Sequence, residues 1–380
     1  MNRLLLLAGL SLAVFASQAI WITLSPVSSL AAQELGVSKE MVGLLAITYP
    51  AAFLVLTLPS GILLDRSFRT WLSAGVLLTL LGGMLRLADP YSYTWLLACQ
   101  ALAAIGQPFL LNAFAPFAGR FYPERRGIAV SVLSFSMYLG IIYGLGTGYY
   151  IYTRHGLTGL LTPPALVALA GGVLYAIGAR GRWPSSGSRG SSVLGEVRRV
   201  VAYRELWLLG TLLGLGVALF DNMSIWLEAA LSSVGLGSVA GVSLALSLAL
   251  GLAGVALVPE PVSRARRRTL YLRLASLAGV LVYTLLALEA SRATLLTLIP
   301  LLGLLMLPAY PIIMEWISTY YPTALHGGAS GFIGLVSRLY TVTLASAAAL
   351  FTGSPRSYFT FLALLALAAL LVSLKLPGDK

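Results

Sequence analysis

Long apolar runs alternate with short polar segments along the whole chain, and each run is long enough to cross a membrane as a helix. The predicted limits of these twelve runs are 4–24, 40–63, 70–88, 93–118, 127–152, 158–179, 205–230, 236–258, 270–289, 293–318, 328–352 and 357–375. A hydrocarbon core of about 30 Å needs roughly 20 helical residues. Because the backbone in lipid must satisfy its own hydrogen bonds, we expect all of these runs to be helices.

The composition indicates a chain embedded in lipid. Hydrophobic residues make up 58% of the 380 residues, charged residues make up 10%, and the mean hydropathy is +0.88. A soluble domain carries about 25% charged residues, so this chain has too little polar surface to be dissolved in water. The net charge of +12 comes from basic clusters between the apolar runs, which indicates contact with a lipid bilayer and argues against a nucleic-acid partner.

The basic residues also predict the orientation of the chain. With the N-terminus in the cytoplasm, nineteen of them lie on the inner side: Arg3, Arg66, Arg69, Arg120, Arg125, Arg126, Arg180, Arg182, Arg189, Arg198, Arg199, Arg204, Arg264, Arg266, Arg267, Arg268, Arg273, Lys375 and Lys380. The outer side carries Lys39, Arg86, Arg154, Arg292 and Arg356, and Arg338 lies inside a span. Because Lys and Arg accumulate in cytoplasmic loops, we predict a multi-pass protein of the cell membrane with both termini inside.

The first run begins like a secretory signal peptide. Arg3 precedes an apolar stretch to Phe15 and then small residues, but the stretch continues through Trp21 and many spans follow. We therefore expect an uncleaved first helix. The single cysteine, Cys99, lies in an apolar run and indicates nothing about the redox compartment.

A central linker separates six predicted spans from six. We expect an N-terminal six-helix bundle at 1–180, a cytoplasmic linker at 181–204 and a C-terminal six-helix bundle at 205–380. Apolar residues at helical spacing near 193–201 predict either a short basic helix on the inner leaflet or an extension of the seventh span. The Tyr-Pro pairs ending at Pro123 and Pro322 lie 199 residues apart, which indicates that the halves are repeats. Two repeated bundles with a solute site between them are a transporter architecture.

The segment from Gly61 to Arg69 resembles the loop signature of the major facilitator superfamily. Gly61 and three further residues precede Asp65 and Arg66, and Arg69 follows, although Phe68 stands where the signature has a second glycine. The resemblance implies an all-α membrane fold of twelve helices, with this motif gating on the inner side through hydrogen bonds and ion pairs of the aspartate. The helix 4 arginine of proton-coupled members and the helix 5 Gly-Pro motif of antiporters are missing, which argues against proton antiport.

Five further segments resemble the feline leukaemia virus subgroup C receptor family of haem and choline transporters. They are Ala19-Ile20-Trp21-Ile22, the stretch from Gly106 to Asn112, Phe121-Tyr122-Pro123, Tyr138-Leu139-Gly140, and Ser330-Gly331-Phe332-Ile333. The resemblance implies alternating-access transport of a small organic solute, either an organic cation such as choline, or haem. A sensor, a channel or a lipid-moving protein on the same fold is the alternative.

The resemblance also implies a solute site on polar and aromatic residues of the spans. Trp21 stands where that family has a tryptophan of an aromatic cage for a quaternary ammonium, and Gln18 lies one helical turn earlier. The alternative for Trp21 is a belt tryptophan at the outer headgroups. Gln107 and Asn112 in the fourth span and Tyr138 in the fifth are further candidate cavity groups.

Charges within apolar runs indicate functional positions, because a charge inside the bilayer is costly. Asp221, next to Asn222, stands where the resembled family has a cage tyrosine, and Arg338 stands where it has a glutamine. We predict that Asp221 and Arg338 pair within the C-terminal bundle and take part in solute binding; a structural ion pair is the alternative. Glu315, near the inner end of the tenth span, is a candidate gate or else a solvated helix end.

No cofactor, metal site or enzyme activity is expected. Both histidines, His155 and His326, fall in predicted loops, so no metal cluster or Ser/His dyad is predicted in the bilayer. A phosphate-binding GxxxxGK[ST] loop is missing, so ATP is not the direct energy source. The glycines at 140, 144 and 148 predict close packing within a bundle rather than dimerisation, and we expect a monomer.

Overall fold

The computed structural model describes residues 2–181, 183, 201–321 and 326–379, and the regular secondary structure within these ranges is helical. The chain divides into two compact units, Met1–Gly190 and Ser191–Lys380. The interfacial helix predicted near 193–201 lies almost entirely outside the described residues.

The N-terminal unit consists of successive helices joined by short turns. They are α1 (Arg3–Ile22), α2 (Ser28–Leu35), α3 (Lys39–Arg66), α4 (Phe68–Leu85), α5 (Tyr93–Leu111), α6 (Phe114–Phe121) and α7 (Arg126–Gly178), with a 3-10 turn at Ser25–Val27. The long helix α7 is two helices in succession, because Gly156 leaves helical geometry with φ 65° and ψ −168°. Glycine adopts such a positive φ without the clash that a Cβ would cause.

The C-terminal unit repeats this arrangement. Its helices are α8 (Arg204–Ser232), α9 (Gly237–Leu257), α10 (Pro259–Arg264), α11 (Arg268–Leu288), α12 (Arg292–Met306), α13 (Ala309–Tyr320), α14 (His326–Ala348) and α15 (Pro355–Leu374). Helix α8 packs against α14, α9 against α12, and α11 against α15. One apolar core of the unit surrounds Trp316, Ile312 and Ile333, which are almost completely buried.

Eleven helical segments of the described chain are long and apolar enough to cross a membrane. The segment Ile128–Gly178 contains the break at Gly156 and therefore supplies two crossings, which brings the total to twelve. The predicted all-α integral membrane fold of two six-helix bundles is confirmed.

Two predicted spans are interrupted in the structure. The span predicted at 93–118 consists of α5 and α6, and the span predicted at 293–318 consists of α12 and α13. A proline lies near each break, Pro108 inside α5 and Pro308 directly before α13, and proline has no N–H to donate to the preceding turn. Hydropathy does not reveal these breaks, because the residues around them are apolar.

Glycines allow α1 and α7 to pack closely. A Cβ at Gly140 would lie 2.3 Å from the backbone oxygen of Phe15, and a Cβ at Gly144 would lie 2.4 Å from Cγ2 of Ile22. Distances this short do not occur between packed atoms, so the two helices approach only because these side chains are missing. The predicted use of the glycines within one bundle is confirmed.

Candidate functional site

An ion pair joins the middle of two helices in the C-terminal unit. Nη1 of Arg338, on α14, lies 3.5 Å from Oδ2 of Asp221, on α8. The Asp221 side chain is 5% exposed and the Arg338 side chain is 29% exposed. The pairing predicted from the sequence is present in the structure, whereas its role in solute binding stays a prediction.

Both charges lie deep within their helices. Asp221 is at least three turns from either end of α8 (Arg204–Ser232), and Arg338 is about three turns from either end of α14 (His326–Ala348). A lone charge at such a depth costs about 2.5–3.5 kcal/mol on insertion scales. Pairing offsets part of this cost, so each charge lowers the free energy needed to bury the other.

Two further polar atoms of α8 are buried close to Asp221 in the sequence. Oδ1 of Asn222 and Oγ of Ser224 have no hydrogen-bond partner among the described residues. The amide nitrogen of Asn222 donates to the carbonyl of Ala218 at 2.7 Å, which leaves its oxygen as an open acceptor. Buried polar atoms without a partner are rare in folded proteins, so these two are candidates for a contact with a bound solute.

Glu228, a buried carboxylate near the C-terminal end of α8, is a candidate that the hydropathy pattern does not single out. A Cβ at Gly237, the first residue of α9, would lie 2.9 Å from Oε1 of Glu228. The carboxylate thus lies against the start of α9, where a helix carries partial positive charge. An acidic residue inside the predicted span 205–230 could have pointed to a functional position. Because Glu228 lies near the end of that span, however, the sequence is equally consistent with a loop residue.

Trp21 lies inside the N-terminal unit and is 7% exposed. Its indole N–H donates to the carbonyl of Ala46 on α3 at 2.9 Å, and its ring stacks on Tyr49 with the centroids 6.2 Å apart. A belt tryptophan exposes its ring to the headgroups, so the belt alternative for Trp21 is wrong. Gln18 is also buried, and its amide nitrogen has no partner among the described residues.

The remaining predicted polar groups of this unit lie on α5 and α7. Gln107 is buried on α5, and Tyr138 is half-buried on α7. Asn112, directly after α5, donates to the carbonyl of Thr57 at 2.9 Å and to the hydroxyl of Ser60 at 2.8 Å. These bonds tie the end of α5 to α3, so Asn112 has a structural role in addition to any contact with a solute.

The motif residues lie at the end of α3 and the start of α4. Gly61 has open space where a side chain would stand, and Arg66 is exposed. Arg69 donates to the carbonyl of Gly181 at 3.3 Å and so fastens the chain after α7 to α4. The side chain of Asp65 lies outside the described residues, and its gating role stays a prediction.

Glu315 belongs to a polar cluster in the C-terminal unit. It accepts from the guanidinium of Arg268 at 2.9 Å and from the hydroxyl of Ser263. The same guanidinium lies 3.6 Å from the carboxylate of Asp379. The cluster joins α10, α11, α13 and the segment after α15. The Glu315 side chain is 37% exposed, so the solvated alternative and the gating role both stay predictions.

The sequence assigns Arg86 to the basic residues of the outer side, at the end of the predicted span 70–88, but it does not predict that this side chain is buried. Arg86 follows the last residue of α4, its side chain is 2% exposed, and Nη1 donates to the carbonyl of Ile20 on α1 at 3.3 Å. The guanidinium turns inward because the end of α1 supplies acceptors there. Removing Arg86 from the outer set leaves four basic residues against nineteen, so the predicted orientation is unaffected.

Ion pairing, hydrogen bonding and contact with aromatic rings are the interactions that these side chains offer to a bound molecule. Among the described residues, no group of three or more His, Cys, Asp or Glu side chains is placed to hold a metal ion.

Known proteins resemble this chain in sequence and in fold. "Solute carrier family 49 member A3" of Danio rerio is 28% identical over 284 residues, which cover 70% of this chain and 60% of that protein. The protein of the same name in Xenopus tropicalis is 26% identical over 263 residues, which cover 62% of this chain and 53% of that protein. The matched region thus spans little more than half the length of these curated relatives.

A solved structure of a bacterial homologue of the human lysosomal transporter Spinster, in an inward-facing and unoccupied conformation, superposes with a TM-score of 0.71. It covers 98% of this chain and 95% of that chain at 15% identity, which shows a shared fold. The sequence pattern of the Major Facilitator Superfamily matches residues 10–345. Because that match covers most of the twelve crossings, this chain belongs to the Major Facilitator Superfamily.

Proposed function

We propose that this protein carries a small organic solute across the membrane by alternating access, and that the Asp221–Arg338 pair forms part of the solute site. The pair carries the proposal, because two opposite charges lie at mid-helix in membrane-crossing segments, where side chains of this kind are usually functional. Membership of the superfamily and the naming of the curated relatives as solute carriers support a carrier.

Exchange of partners within the pair would couple binding to movement. A cationic group of the solute can replace Arg338 at Asp221, or an anionic group can replace Asp221 at Arg338. Either exchange releases one charged side chain, and an unpaired charge in a low-dielectric interior is strongly disfavoured until it finds water or another partner. Occupancy of the site would therefore change the packing of α8 against α14.

The two solutes implied by family resemblance use opposite members of the pair. The quaternary ammonium of choline would bind Asp221, and the carboxylates of haem would bind Arg338. Because the Arg338 side chain is 29% exposed and the Asp221 side chain is 5% exposed, an approaching group meets the guanidinium first. The exposure favours a solute with an anionic group, and choline is the competing candidate.

A binding panel followed by an exchange assay tests the proposal. Purified protein is heated with choline, related amines, haem and simple carboxylates, and a ligand of the folded state raises the melting temperature. Each ligand that does so is then tested for counterflow in proteoliposomes, where a carrier exchanges labelled solute against unlabelled solute inside. A ligand that binds without exchange would indicate a sensor, and flux without counterflow would indicate a channel; either result contradicts the proposal.

A further inference from the structure

The end of α1 is held by two polar side chains from other helices. The buried guanidinium of Arg86 donates to the carbonyl of Ile20 at 3.3 Å. The amide nitrogen of Gln100, on α5, lies 3.4 Å from the same carbonyl and 3.3 Å from the carbonyl of Trp21. Two helices thus converge on the last turn of α1.

These carbonyls are available because α1 stops there. The helix ends at Ile22 and is followed by a turn and by Pro26 in a 3-10 segment. The last four carbonyls of a helix lack an intrahelical donor, and the carbonyl of Ile22 would need an N–H from Pro26, which has none. The end of α1 also carries partial negative charge, which favours a guanidinium.

Arg86 has no carboxylate within ion-pair distance among the described residues. Its guanidinium instead donates to the carbonyl of Ile20 on α1. A charged side chain that is 2% exposed and has this bond depends on the position of that carbonyl. The dependence is mutual, because the side chains that donate to the carbonyls of Ile20 and Trp21, among the residues that the structure describes, are those of Arg86 and Gln100.

Trp21 lies in this same last turn of α1. Its indole N–H is fixed by Ala46 and its ring lies on Tyr49, both on α3. The backbone of the residue is fixed by Gln100, and the backbone of the residue before it by Arg86. The tryptophan is thus oriented from three neighbouring helices, and each of them contributes a different hydrogen bond or ring contact.

We infer that Arg86 is a positioning residue that acts, together with Gln100, by holding the interrupted end of α1 so that Trp21 keeps one orientation. The inference rests on the proposed carrier function in one respect, since it also takes Trp21 to be the solute contact that the sequence predicts. The positioning itself is a property of the N-terminal unit, and it can be measured without any solute.

The direct test uses the full chain labelled with 5-fluorotryptophan. The fluorine resonance of Trp21 is identified by its loss in Trp21→Phe. We expect Arg86→Met to shift and broaden this resonance while the resonances of the other tryptophans stay unchanged. Arg86→Lys should bring the Trp21 resonance part of the way back to its original position. Gln100→Leu should move the same resonance, which keeps the inference testable if Arg86→Met fails to fold. Arg154→Met, at an exposed arginine, is the matched control. An unmoved Trp21 resonance in folded Arg86→Met or Gln100→Leu would overturn the inference.

The transport test separates the two claims. With labelled choline and haem as probes, Arg86→Met should raise KM about tenfold and change kcat little, since it disorders a binding residue. A tenfold fall in kcat with no change in KM would overturn the positioning role. If the resonance moves but Trp21→Ala leaves KM unchanged for both probes, the solute role of Trp21 is wrong, and so is the purpose assigned to Arg86.

Discussion

Tyr122 donates its hydroxyl hydrogen to the backbone carbonyl of Arg3 at 2.7 Å, which ties the residue after α6 to the first turn of α1. In the other unit Tyr321, the residue after α13, donates to the carboxylate of Glu205 in the first turn of α8 at 2.9 Å. These are the tyrosines of the two repeated Tyr-Pro pairs. The same fastening in both halves is what duplicated bundles predict.

Removing each hydroxyl should destabilise the two halves unequally. Tyr122→Phe loses a bond to a neutral acceptor, worth about 0.5–1.5 kcal/mol, and Tyr321→Phe loses a bond to a charged one, worth about 1.5–3 kcal/mol. Burial and the hydrogen bond to Glu205 raise the pKa of Tyr321, so its phenol stays protonated and the difference should hold from about pH 6 to pH 9. Melting temperatures in detergent measure both losses. Tyr310→Phe, at an exposed tyrosine, is the control, and equal losses at positions 122 and 321 would contradict the prediction.

Adding one methyl group at two glycines should have opposite effects. Gly140→Ala places a Cβ against the backbone of Phe15, so α1 and α7 must separate, at a cost of about 1–3 kcal/mol. Gly216→Ala adds a Cβ in open space within α8, where alanine is favoured over glycine by about 1 kcal/mol. Unfolding of the two purified variants in parallel measures the difference. An equal loss of stability in both variants would show that Gly140 is not needed for the packing of α1 on α7.

The sequence predicts the membrane crossings because the mean hydropathy of a segment indicates whether lipid or water surrounds that segment. It also predicts the pairing of Asp221 with Arg338, since isolated opposite charges in apolar runs have few other partners. It does not predict the inward turn of Arg86. That residue lies near the end of the predicted span 70–88 and shortly before Asp89, so it is counted with the basic residues of the outer side. Only the fold reveals that unsatisfied carbonyls of α1 lie beside it.

The orientation predicted from the basic residues can be tested by labelling. In a Cys99→Ala background, Ser188→Cys, in the linker predicted at 181–204, should resist an impermeant thiol reagent on intact cells and react in inverted vesicles. Asp89→Cys, in the exposed turn after α4, should show the opposite pattern. Reaction of the cysteine at position 188 with the reagent on intact cells would place the linker outside and contradict the predicted cytoplasmic position of both termini.

The two members of the Asp221–Arg338 pair should differ in what their loss costs. Arg338→Gln leaves a carboxylate that is 5% exposed, and Asp221→Asn leaves a guanidinium that is 29% exposed and therefore less completely buried. We therefore expect Arg338→Gln to destabilise more, by about 3 kcal/mol, and Asp221→Asn by about 1 kcal/mol. The double variant should recover part of the loss, because it leaves no unpaired charge. The exposed pair of Glu260 with Arg264 is the control, and its cycle should give a coupling below about 1 kcal/mol.

The same double variant decides between the two interpretations of the pair. If Asp221 and Arg338 only stabilise the bundle, the variant that restores stability should also restore uptake. If the pair exchanges a partner with the solute, stability should recover and uptake should not, because neither an amide at 221 nor one at 338 can bind a charged group as the pair does. Stability and counterflow measured on the same preparations separate these outcomes. Additive losses of stability would show instead that the two residues act independently, despite the 3.5 Å between their charged groups.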